Sequence, residues 1–395
     1  MSSSIVIASI ARTPIAKFCG SFSPFKASEL GSVAIKGALD KLGNDDVLIR
    51  EAYLGNVVSA GMGQAPARQA VLGAGMPEST ICTTVNKVCA SGMKTVQLSA
   101  QTLSSSGGGF AMLAGGMESM SNIPHYMMQS RSGIKLGNGT LVDGCVHDGL
   151  WDVYNNQHMG MCAEQCALDY NVSRSEQDDF AMESYRRAQA SVDLLAKEIT
   201  PVEIPNRRGD PTIVDQDEEP IGLAVEKLLK LKPAFDRSEK GSVTAGNASS
   251  LNDGACAMVL MTEQDAIDRG IQPVAKILGF GDAEQDPVKF TTTPSLAVPV
   301  ALENAKMNMT DIDYHEINEA FAVVALANMK IMNLDPSTVN LFGGAVALGH
   351  PIGMSGARII GTLLNVLQHK DASVGCASIC NGGGGASAII IERMQ

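Results

Sequence analysis

Two residues have both the chemistry and the setting for covalent catalysis at a thiol. Cys89 lies where a strand-like run, residues 81–88, gives way to a helical run, residues 90–103. The partial positive charge at a helix N-terminus stabilises a thiolate, so this position predicts a lowered pKa for Cys89. His350 lies among the glycines and prolines of residues 343–353, and it could be the base that a cysteine nucleophile needs. Taken alone, a buried structural cysteine and a hydrogen-bonded structural histidine fit equally well.

Two further segments could complete such a site. Cys380 follows a strand-like run, residues 374–379, and begins a glycine-rich turn, residues 380–385, whose backbone N–H groups could bind an oxyanion. Asn318 follows the strand-like residues 314–317, where its amide could hold a catalytic water. The alternatives are a flexible glycine loop for the first segment and a helix cap for Asn318.

An internal repeat relates the segments that carry these residues. Three pairs of segments align at nearly the same offset: residues 34–41 and 297–304, residues 46–51 and 311–316, and residues 91–94 and 355–358. Each copy would contain a helix, a strand, a glycine-containing turn, a second helix and a final strand. The repeat therefore predicts two similar halves, with the Cys89 turn in one and the His350 loop in the other.

A stretch of different character, rich in Met, Asp and Pro, separates the two copies. Within it, the pattern from Ser173 to Glu176 predicts a helix that continues to Leu195, and residues 215–219 predict a solvated acidic loop. The sequence thus predicts three units, which are an N-terminal half at 1–118 completed by 248–270, an inserted domain at 119–247, and a C-terminal half at 271–395.

Composition excludes some classes of function. The 395-residue chain carries a net charge of −12, which argues against nucleic-acid binding because neutralising phosphates requires clustered Lys and Arg. The sequence contains no run of about 18 uncharged apolar residues, so a membrane span is not expected. Nine cysteines without an apparent signal peptide predict reduced thiols inside a cell. The abundance of Gly and Ala and the scarcity of aromatic residues favour a tightly packed α/β fold.

A metal site is the competing interpretation of one further cluster. His158, Cys162 and Cys166 recur at every fourth residue along one predicted helix face, and Asp169 lies nearby. Zinc sites usually need a fourth ligand and closer pairs such as Cys-x-x-Cys. Packing of small side chains is therefore the favoured explanation of the two cysteines.

These segments together resemble the thiolase family over essentially the whole chain. The matching stretches are Ala11–Pro14, Gly63–Arg68, Asn86–Gly92, Gly115–Met120, His158–Gly160, Asn247–Ser249, Asn318–Phe321, Gly343–Gly353 and Cys380–Gly384. The resemblance is strongest to members that act on acetoacetyl-CoA. It implies a five-layered αβαβα fold built from two similar halves, with the inserted domain forming a loop domain over coenzyme A.

The resemblance also implies catalytic roles. Cys89 would accept the acyl group with His350 activating it, and Cys380 would move the proton on the α-carbon of the second acetyl-CoA. One oxyanion site would use His350 and a water held by Asn318, and the other would use the backbone N–H groups of Cys89 and Gly382. No catalytic metal is implied.

Two ligand sites follow from the same resemblance. The residues expected to contact coenzyme A are His158, Met159, Tyr185, Leu223, Lys227, Ser249 and Phe321. A potassium site is expected at Tyr185, Ala245, Gly246, Ala248 and Val346. The chain departs from the relatives at residues 222–224, where they have Arg-x-Asp, and at Gly246, where they have alanine. Phe290 matches a phenylalanine associated with acceptance of a 2-methyl branch.

The expected function is the reversible cleavage of acetoacetyl-CoA by coenzyme A, or the reverse condensation of two acetyl-CoA, through an acetylated Cys89. A broad-chain 3-ketoacyl-CoA thiolase of β-oxidation is the alternative enzyme, and a zinc-binding or redox-sensing thiol protein without catalysis is a remote one. The resemblance further implies a homotetramer formed from two dimers. The expected location is the mitochondrial matrix, with a transit peptide removed or absent, and the cytoplasm is the alternative.

Overall fold

The computed structural model describes residues 4–44, 46–221 and 225–394. Within these ranges the β-strands are β1 (Ile5–Arg12), β2 (Ala16–Lys17), β3 (Ile49–Gly55), β4 (Ile81–Val85), β5 (Ala111–Ser119), β6 (His125–Tyr126), β7 (Val142–Asp143), β8 (Trp151–Asp152), β9 (Gln157–His158), β10 (Val202–Ile204), β11 (Thr212–Val214), β12 (Asn252–Thr262), β13 (Ala275–Glu284), β14 (Tyr314–Ile317), β15 (Val374–Asn381) and β16 (Gly385–Arg393).

The α-helices of the same ranges are α1 (Ala27–Leu42), α2 (Pro66–Gly73), α3 (Ser91–Ser106), α4 (Gly144–Gly149), α5 (Met159–Asp169), α6 (Arg174–Ala190), α7 (Val192–Leu195), α8 (Glu263–Asp268), α9 (Pro294–Ala305), α10 (Ala322–Met332), α11 (Ala345–Leu348) and α12 (Ser355–Lys370). None of these described helices combines the length and the apolar character needed to cross a membrane.

The strand order repeats between the two halves of the chain. In the first half it runs β4-β3-β5-β12-β1, and in the second half it runs β14-β15-β16-β13. In the second half, Val339 forms a parallel bridge with His315 of β14, and so takes the position beside β14 that β4 takes beside β3. In both halves parallel pairing at one end changes to antiparallel pairing at the other. Strands β1 and β13 pair with each other, with Ile5 opposite Ile277, and so join the two halves into one continuous sheet.

The helices complete the five-layered αβαβα arrangement that the family resemblance implies. Helix α1 covers the outer face of the first half, where it packs on β1 and β12, and α2 packs beside it. Helix α9 covers the second half on β13 and β16. Helices α3 and α12 pack against each other between the two halves. Residues 355–367 of α12 are all buried, as expected of a helix that packs against strands of both halves.

The N-terminal ends of α3 and α12 approach each other unusually closely. A Cβ atom added at Gly92 would lie 2.8 Å from the backbone nitrogen of Ala357 and 3.0 Å from the carbonyl oxygen of Gly353. Only a residue without a side chain fits at this crossing. The crossing brings the loop before α3 and the loop before α12 to the same place, and these loops carry Cys89 and His350.

Two expectations for the inserted region need correction. The helix that begins at Ser173 has the predicted capping box with Glu176, but α6 ends at Ala190 and the remainder forms the separate α7. The prediction of a solvated acidic loop is wrong for Asp217, which is buried. Its carboxylate accepts two hydrogen bonds from the Arg12 guanidinium, at 2.7 and 2.9 Å. Because Arg12 is far away in sequence, the residues around Asp217 give no sign of this partner.

Candidate active site

The turn before α3 holds Cys89 in a fixed position. Val88 adopts a left-handed backbone conformation with φ of 46°, which is unfavourable for a β-branched residue and is common at functional sites. The Ser91 hydroxyl stabilises the turn, since it donates to the Val88 carbonyl at 2.6 Å and accepts from the Lys87 N–H at 2.8 Å. Cys89 is thereby presented at the start of the helix, as the sequence predicts.

The loop before α12 orients the imidazole of His350. Its Nδ1 lies 2.6 Å from the Ser355 hydroxyl, and that hydroxyl donates its proton to the Pro351 carbonyl at 3.0 Å. Because a hydroxyl has only one proton, Nδ1 must be the donor to Ser355, which leaves a lone pair on Nε2. The Asn318 amide nitrogen lies 3.5 Å from Nε2 and donates towards it. The free nitrogen of His350 is therefore an acceptor.

The glycine turn after β15 contributes a backbone donor. Gly382, Gly383 and Gly384 connect β15 to β16, and Gly383 and Gly384 have φ of 88° and 99°. The Gly382 N–H is close enough to the Cys89 sulfur to favour a negative charge on it. Cys380, at the end of β15, is fully buried and close enough to Cys89 for a charge on one sulfur to affect the other. The turn thus places a second thiol and an N–H donor beside the first thiol.

Burial determines the protonation of these three groups. Burial raises the pKa of the Cys89 thiol to about 12, although the N–H groups of Gly382 and Cys89 act in the opposite direction. The expectation of a lowered pKa is therefore wrong, because loss of hydration destabilises the thiolate more than the helix N-terminus stabilises it. Burial raises the pKa of Cys380 well above its usual range. Burial and the charge of Arg358 lower the pKa of His350 to about 3. At neutral pH all three groups are uncharged.

Cys89 and His350 lie at the wall of a cavity of about 340 Å³. Phe235, Phe290 and Phe321 form much of its apolar lining. This volume is in the range of small-molecule sites, which are mostly apolar with a few fixed polar groups. A Cys89 sulfur in such a cavity can attack a carbonyl carbon, and nearby N–H donors can stabilise the oxyanion that results.

Four of the residues expected to contact coenzyme A line this cavity. They are His158, Met159, Ser249 and Phe321. The other expected contacts do not join them, since Tyr185 and Lys227 are not part of the lining and Leu223 lies outside the described residues.

His158 has a defined structural setting in the cavity wall. Its Nδ1 accepts from the Gly160 N–H at 3.0 Å and caps α5, while its ring stacks on Phe235 with centroids 4.7 Å apart. No group of three or more His, Cys, Asp or Glu side chains placed to hold a metal ion occurs in the described part of the chain.

The residues expected to bind potassium are divided between two neighbouring places. Ala245 and Ala248 line the cavity, and Tyr185 and Val346 belong to the adjacent core cluster. Gly246 lies between Ala245 and Ala248 in sequence. A Cβ atom added at Gly246 would come within 2.9 Å of the Leu228 and Leu231 side chains. The pKa of Tyr185 is raised by burial and by the nearby carboxyl groups of Glu219 and Glu319. A negative environment of this kind suits a cation.

Three further residues at the site are not among those that the sequence predicts to act there. Ser355 orients the His350 ring, and Asn252 accepts from the His350 N–H at 2.9 Å. Glu118 is buried close to Cys89, with its carboxylate held by the N–H groups of Val57 and Val58. Of the three, only Ser355 is near its partner in sequence.

The helix-cap alternative for Asn318 is wrong. Helix α10 begins at Ala322 with Phe321 at the N-cap position. The Asn318 side chain instead lies against His350.

Comparisons with known proteins agree with this geometry. The family model described as the thiolase N-terminal domain matches residues 5–264, and the thiolase C-terminal domain matches residues 271–393. Acetyl-CoA acetyltransferase 1 of Arabidopsis thaliana is 52% identical over 99% of this chain and 94% of its own length. Acetyl-CoA acetyltransferase A, mitochondrial, of Xenopus laevis is 51% identical over 99% of this chain and 92% of its own.

A solved structure shows the same fold. It is the Acat5 thiolase of Ascaris suum in complex with coenzyme A, which is 42% identical and superposes with a TM-score of 0.92 over 99% of this chain and 100% of that one. Since two models of one family cover both halves of the sequence, and relatives about half identical extend along almost all of it, the chain belongs to the thiolase family.

Proposed function

We propose that the chain is an acetyl-CoA C-acetyltransferase, which cleaves acetoacetyl-CoA with coenzyme A and catalyses the reverse condensation of two acetyl-CoA. The observation that carries this proposal is the convergence of two buried thiols, Cys89 and Cys380, with the neutral imidazole of His350. One thiol is enough for acyl transfer between sulfurs. The second supplies the proton transfer that breaking or forming a carbon–carbon bond requires.

Cleavage begins when Cys89 attacks the keto carbon of acetoacetyl-CoA and its proton passes to Nε2 of His350. The bond between C2 and C3 then breaks, the electron pair stays on C2 as the enolate of acetyl-CoA, and Cys380 protonates that carbon. Coenzyme A next gives its thiol proton to the Cys380 thiolate and attacks the acetyl group on Cys89. The Cys89 thiolate leaves and recovers its proton from His350, so the enzyme returns to its starting state.

Two sets of donors stabilise the negative charge that develops. The N–H groups of Gly382 and Cys89, which favour negative charge at the Cys89 sulfur, would donate to the oxygen of the acyl group on that sulfur. The other set is Nε2 of His350, once it carries the Cys89 proton, together with a water held by Asn318. Fixed donors in a buried site stabilise an oxyanion strongly because little solvent competes for it.

Labelling with radioactive acetyl-CoA tests these roles. Cys89→Ser should accept no acetyl group, whereas Cys380→Ser should still be acetylated but should neither form nor cleave acetoacetyl-CoA. Cys376→Ala is the matched control, since it removes another fully buried thiol from the same strand and should retain activity. Label on a peptide that lacks Cys89 would contradict the assignment.

The substrate range follows from the cavity. We infer that the enzyme prefers short acyl chains and accepts 2-methylacetoacetyl-CoA, because Phe290 lies in the wall and the volume is about 340 Å³. Comparing kcat/KM for acetoacetyl-CoA, its 2-methyl analogue and a long-chain 3-ketoacyl-CoA tests this inference. A preference for the long chain would favour the broad-chain thiolase of β-oxidation instead. Such an activity would serve ketone-body use, isoleucine breakdown or fatty acid metabolism according to the direction of flux.

Coenzyme A contacts and potassium binding are further parts of the proposal. His158, Met159, Ser249 and Phe321 would contact the pantetheine portion, and Lys227, which is exposed, would attract a phosphate. Potassium would bind near Tyr185, close to the carboxyl groups of Glu219 and Glu319. The measurements are KM for coenzyme A in Lys227→Ala and thiolysis in potassium chloride against sodium chloride. Equal rates in the two salts would exclude activation by potassium.

We further propose a homotetramer of two dimers in the mitochondrial matrix, and residues 119–247 as a loop domain over coenzyme A. Strand β4 ends the sheet order and pairs only with β3 among the described strands, so its other edge is available to a second copy. The mitochondrial relative from Xenopus laevis supports the location. Light scattering after size-exclusion chromatography and fractionation of cells test the two statements, and a monomer or a purely cytoplasmic pool would contradict them.

A further inference from the structure

A buried ion pair behind the active site leaves an unusual number of its polar atoms without partners. Arg358 and Glu316 are each about 1% exposed, and their closest charged atoms are 3.9 Å apart. None of the three guanidinium nitrogens of Arg358 has a hydrogen-bond partner among the described residues, and neither does Oε1 of Glu316. Buried polar groups are nearly always paired, so atoms like these require an explanation.

A third residue with an unpaired buried atom belongs to the proposed active site itself. Asn318 directs its amide nitrogen to His350, but its Oδ1 is buried without a partner in the described part of the chain. Glu316 and Asn318 are two residues apart at the end of β14, where backbone pairing continues through Asn318, so their side chains project from the same face of the sheet. The same elements therefore carry the ion pair and the catalytic amide.

Helix α12 likewise carries one residue of the ion pair and one residue that contacts the active site. Ser355, which orients His350, and Arg358 are three residues apart and share a face of the helix. The charge of Arg358 is felt at His350. Arg358 and Glu316 are thus carried by the same two segments as Ser355 and Asn318, and neither of them lines the cavity.

The unpaired atoms of the three residues are complementary, and no direct hydrogen bond joins them. Arg358 has three donor nitrogens without a partner, and Glu316 and Asn318 each have one acceptor oxygen without a partner, Oε1 and Oδ1. A water molecule accepts from one group and donates to two others, and buried waters typically make about three hydrogen bonds to groups that otherwise lack partners. One water between α12 and β14 would satisfy both the donors and the acceptors.

We propose that ordered water links Arg358 and Glu316 to Oδ1 of Asn318, which makes the two charged residues positioning residues for the catalytic amide. This inference rests on the proposed thiolase function. A water that donates to Oδ1 keeps the oxygen end of the amide turned away from His350. A flipped amide would instead place its oxygen against the lone pair on Nε2. Losing the network would reduce turnover and leave substrate binding unchanged.

A double-mutant cycle tests whether the charged pair acts through Asn318. The pair variant E316Q/R358M avoids leaving one charge buried alone, which would threaten folding. It should lower kcat about tenfold and change KM by less than about twofold. In an Asn318→Ala background the same two substitutions should have no further effect on kcat. Independent, multiplying effects in the two backgrounds, or an unchanged kcat in the pair variant, would overturn the proposal.

Two single variants separate positioning from stability. Arg358→Lys keeps a buried cation that can donate to the same water, so its kcat should stay within about threefold of the unaltered enzyme. Thr362→Val, one turn further along α12, removes a hydrogen bond to Glu198 and should lower the melting temperature without changing kcat. If Thr362→Val lowers kcat as much as the pair variant does, general loosening of α12 explains the data and the proposal fails.

A high-resolution crystal structure of the full chain gives a direct readout. It should show a water within hydrogen-bond distance of Arg358 and of Oδ1 of Asn318, and this water should be displaced or shifted in the pair variant. A guanidinium bonded directly to the protein with no water at Asn318 would refute the network. Thiolysis by the unaltered enzyme is measured separately, so failure of the proposed function is distinguishable from failure of this inference.

Discussion

Cys89 is expected to react as a protonated thiol in the resting enzyme. Burial raises its pKa from the ordinary 9.0 to about 12, a change of about three units, which corresponds to about 4 kcal/mol in the cost of forming the thiolate. At pH 7 the thiolate is then on the order of one molecule in 10⁵. Because the pKa lies far above neutrality, the thiolate fraction should rise about tenfold per pH unit throughout the range in which the protein is stable.

Alkylation by iodoacetamide measures this fraction, since only the thiolate reacts. The modified peptide containing Cys89 is quantified by mass spectrometry after short exposures, with the exposed Cys19 as an internal reference for loss of reagent. The rate at Cys89 should increase about a hundredfold between about pH 7 and about pH 9, without a plateau. A plateau below pH 9 would show that the N–H groups of Gly382 and Cys89 outweigh burial, and the reasoning would be wrong.

Acetylation by acetyl-CoA should depend on pH much less than alkylation does. In the proposed reaction the Cys89 proton passes to His350, which is within the site and neutral at rest, so no free thiolate has to accumulate. The two pH profiles, measured on the same preparation, separate the resting thiol from the thiol activated by its base. Parallel profiles would mean that His350 does not take this proton.

Three further substitutions test the fold around the site. Arg12→Met should lower the free energy of unfolding by about 3 to 5 kcal/mol in urea titrations, because Glu198 and Asp217 would remain buried without their cation; Arg186→Met, which breaks an exposed pair with Glu183, is the control and should have no resolvable effect. Gly92→Ala should reduce both the melting temperature and kcat, since its Cβ would separate α3 from α12; unchanged kinetics would show that the crossing is not critical. Ser173→Ala should cost about 1 kcal/mol by removing the cap of α6, with KM for coenzyme A unaltered.

The positions of the proposed catalytic residues are predictable from sequence where the signal is local. Cys89 lies between a strand and a helix, and Cys380 lies at the penultimate position of β15, with one residue between it and the glycines. Both patterns are retained in the structure because a turn between buried elements depends on its own residues. The repeat predicts that the Cys89 turn and the His350 loop come together. In the structure this contact is made where α3 and α12 cross at Gly92.

Properties that depend on distant residues are not predictable in this way. The pKa of Cys89 is set by how completely other segments bury it, and a helix N-terminus alone suggests the opposite sign. Asp217 looks like part of a solvated loop until Arg12, about 200 residues earlier, is placed beside it. Asn318 resembles a helix cap in sequence, but the β14 register directs it to His350 instead.

The position of β12 in the sheet has a consequence for synthesis of the protein. This strand pairs with both β1 and β5, yet β5 ends at Ser119 and β12 begins only at Asn252. The ribosome must therefore add roughly 130 residues after β5, which takes on the order of ten seconds, before β12 can pair with β1 and β5. During that interval both strands present open edges of the kind that attract other chains. The nascent first half is thus the stage at which this enzyme is most exposed to aggregation, and the stage at which a chaperone would have most to protect.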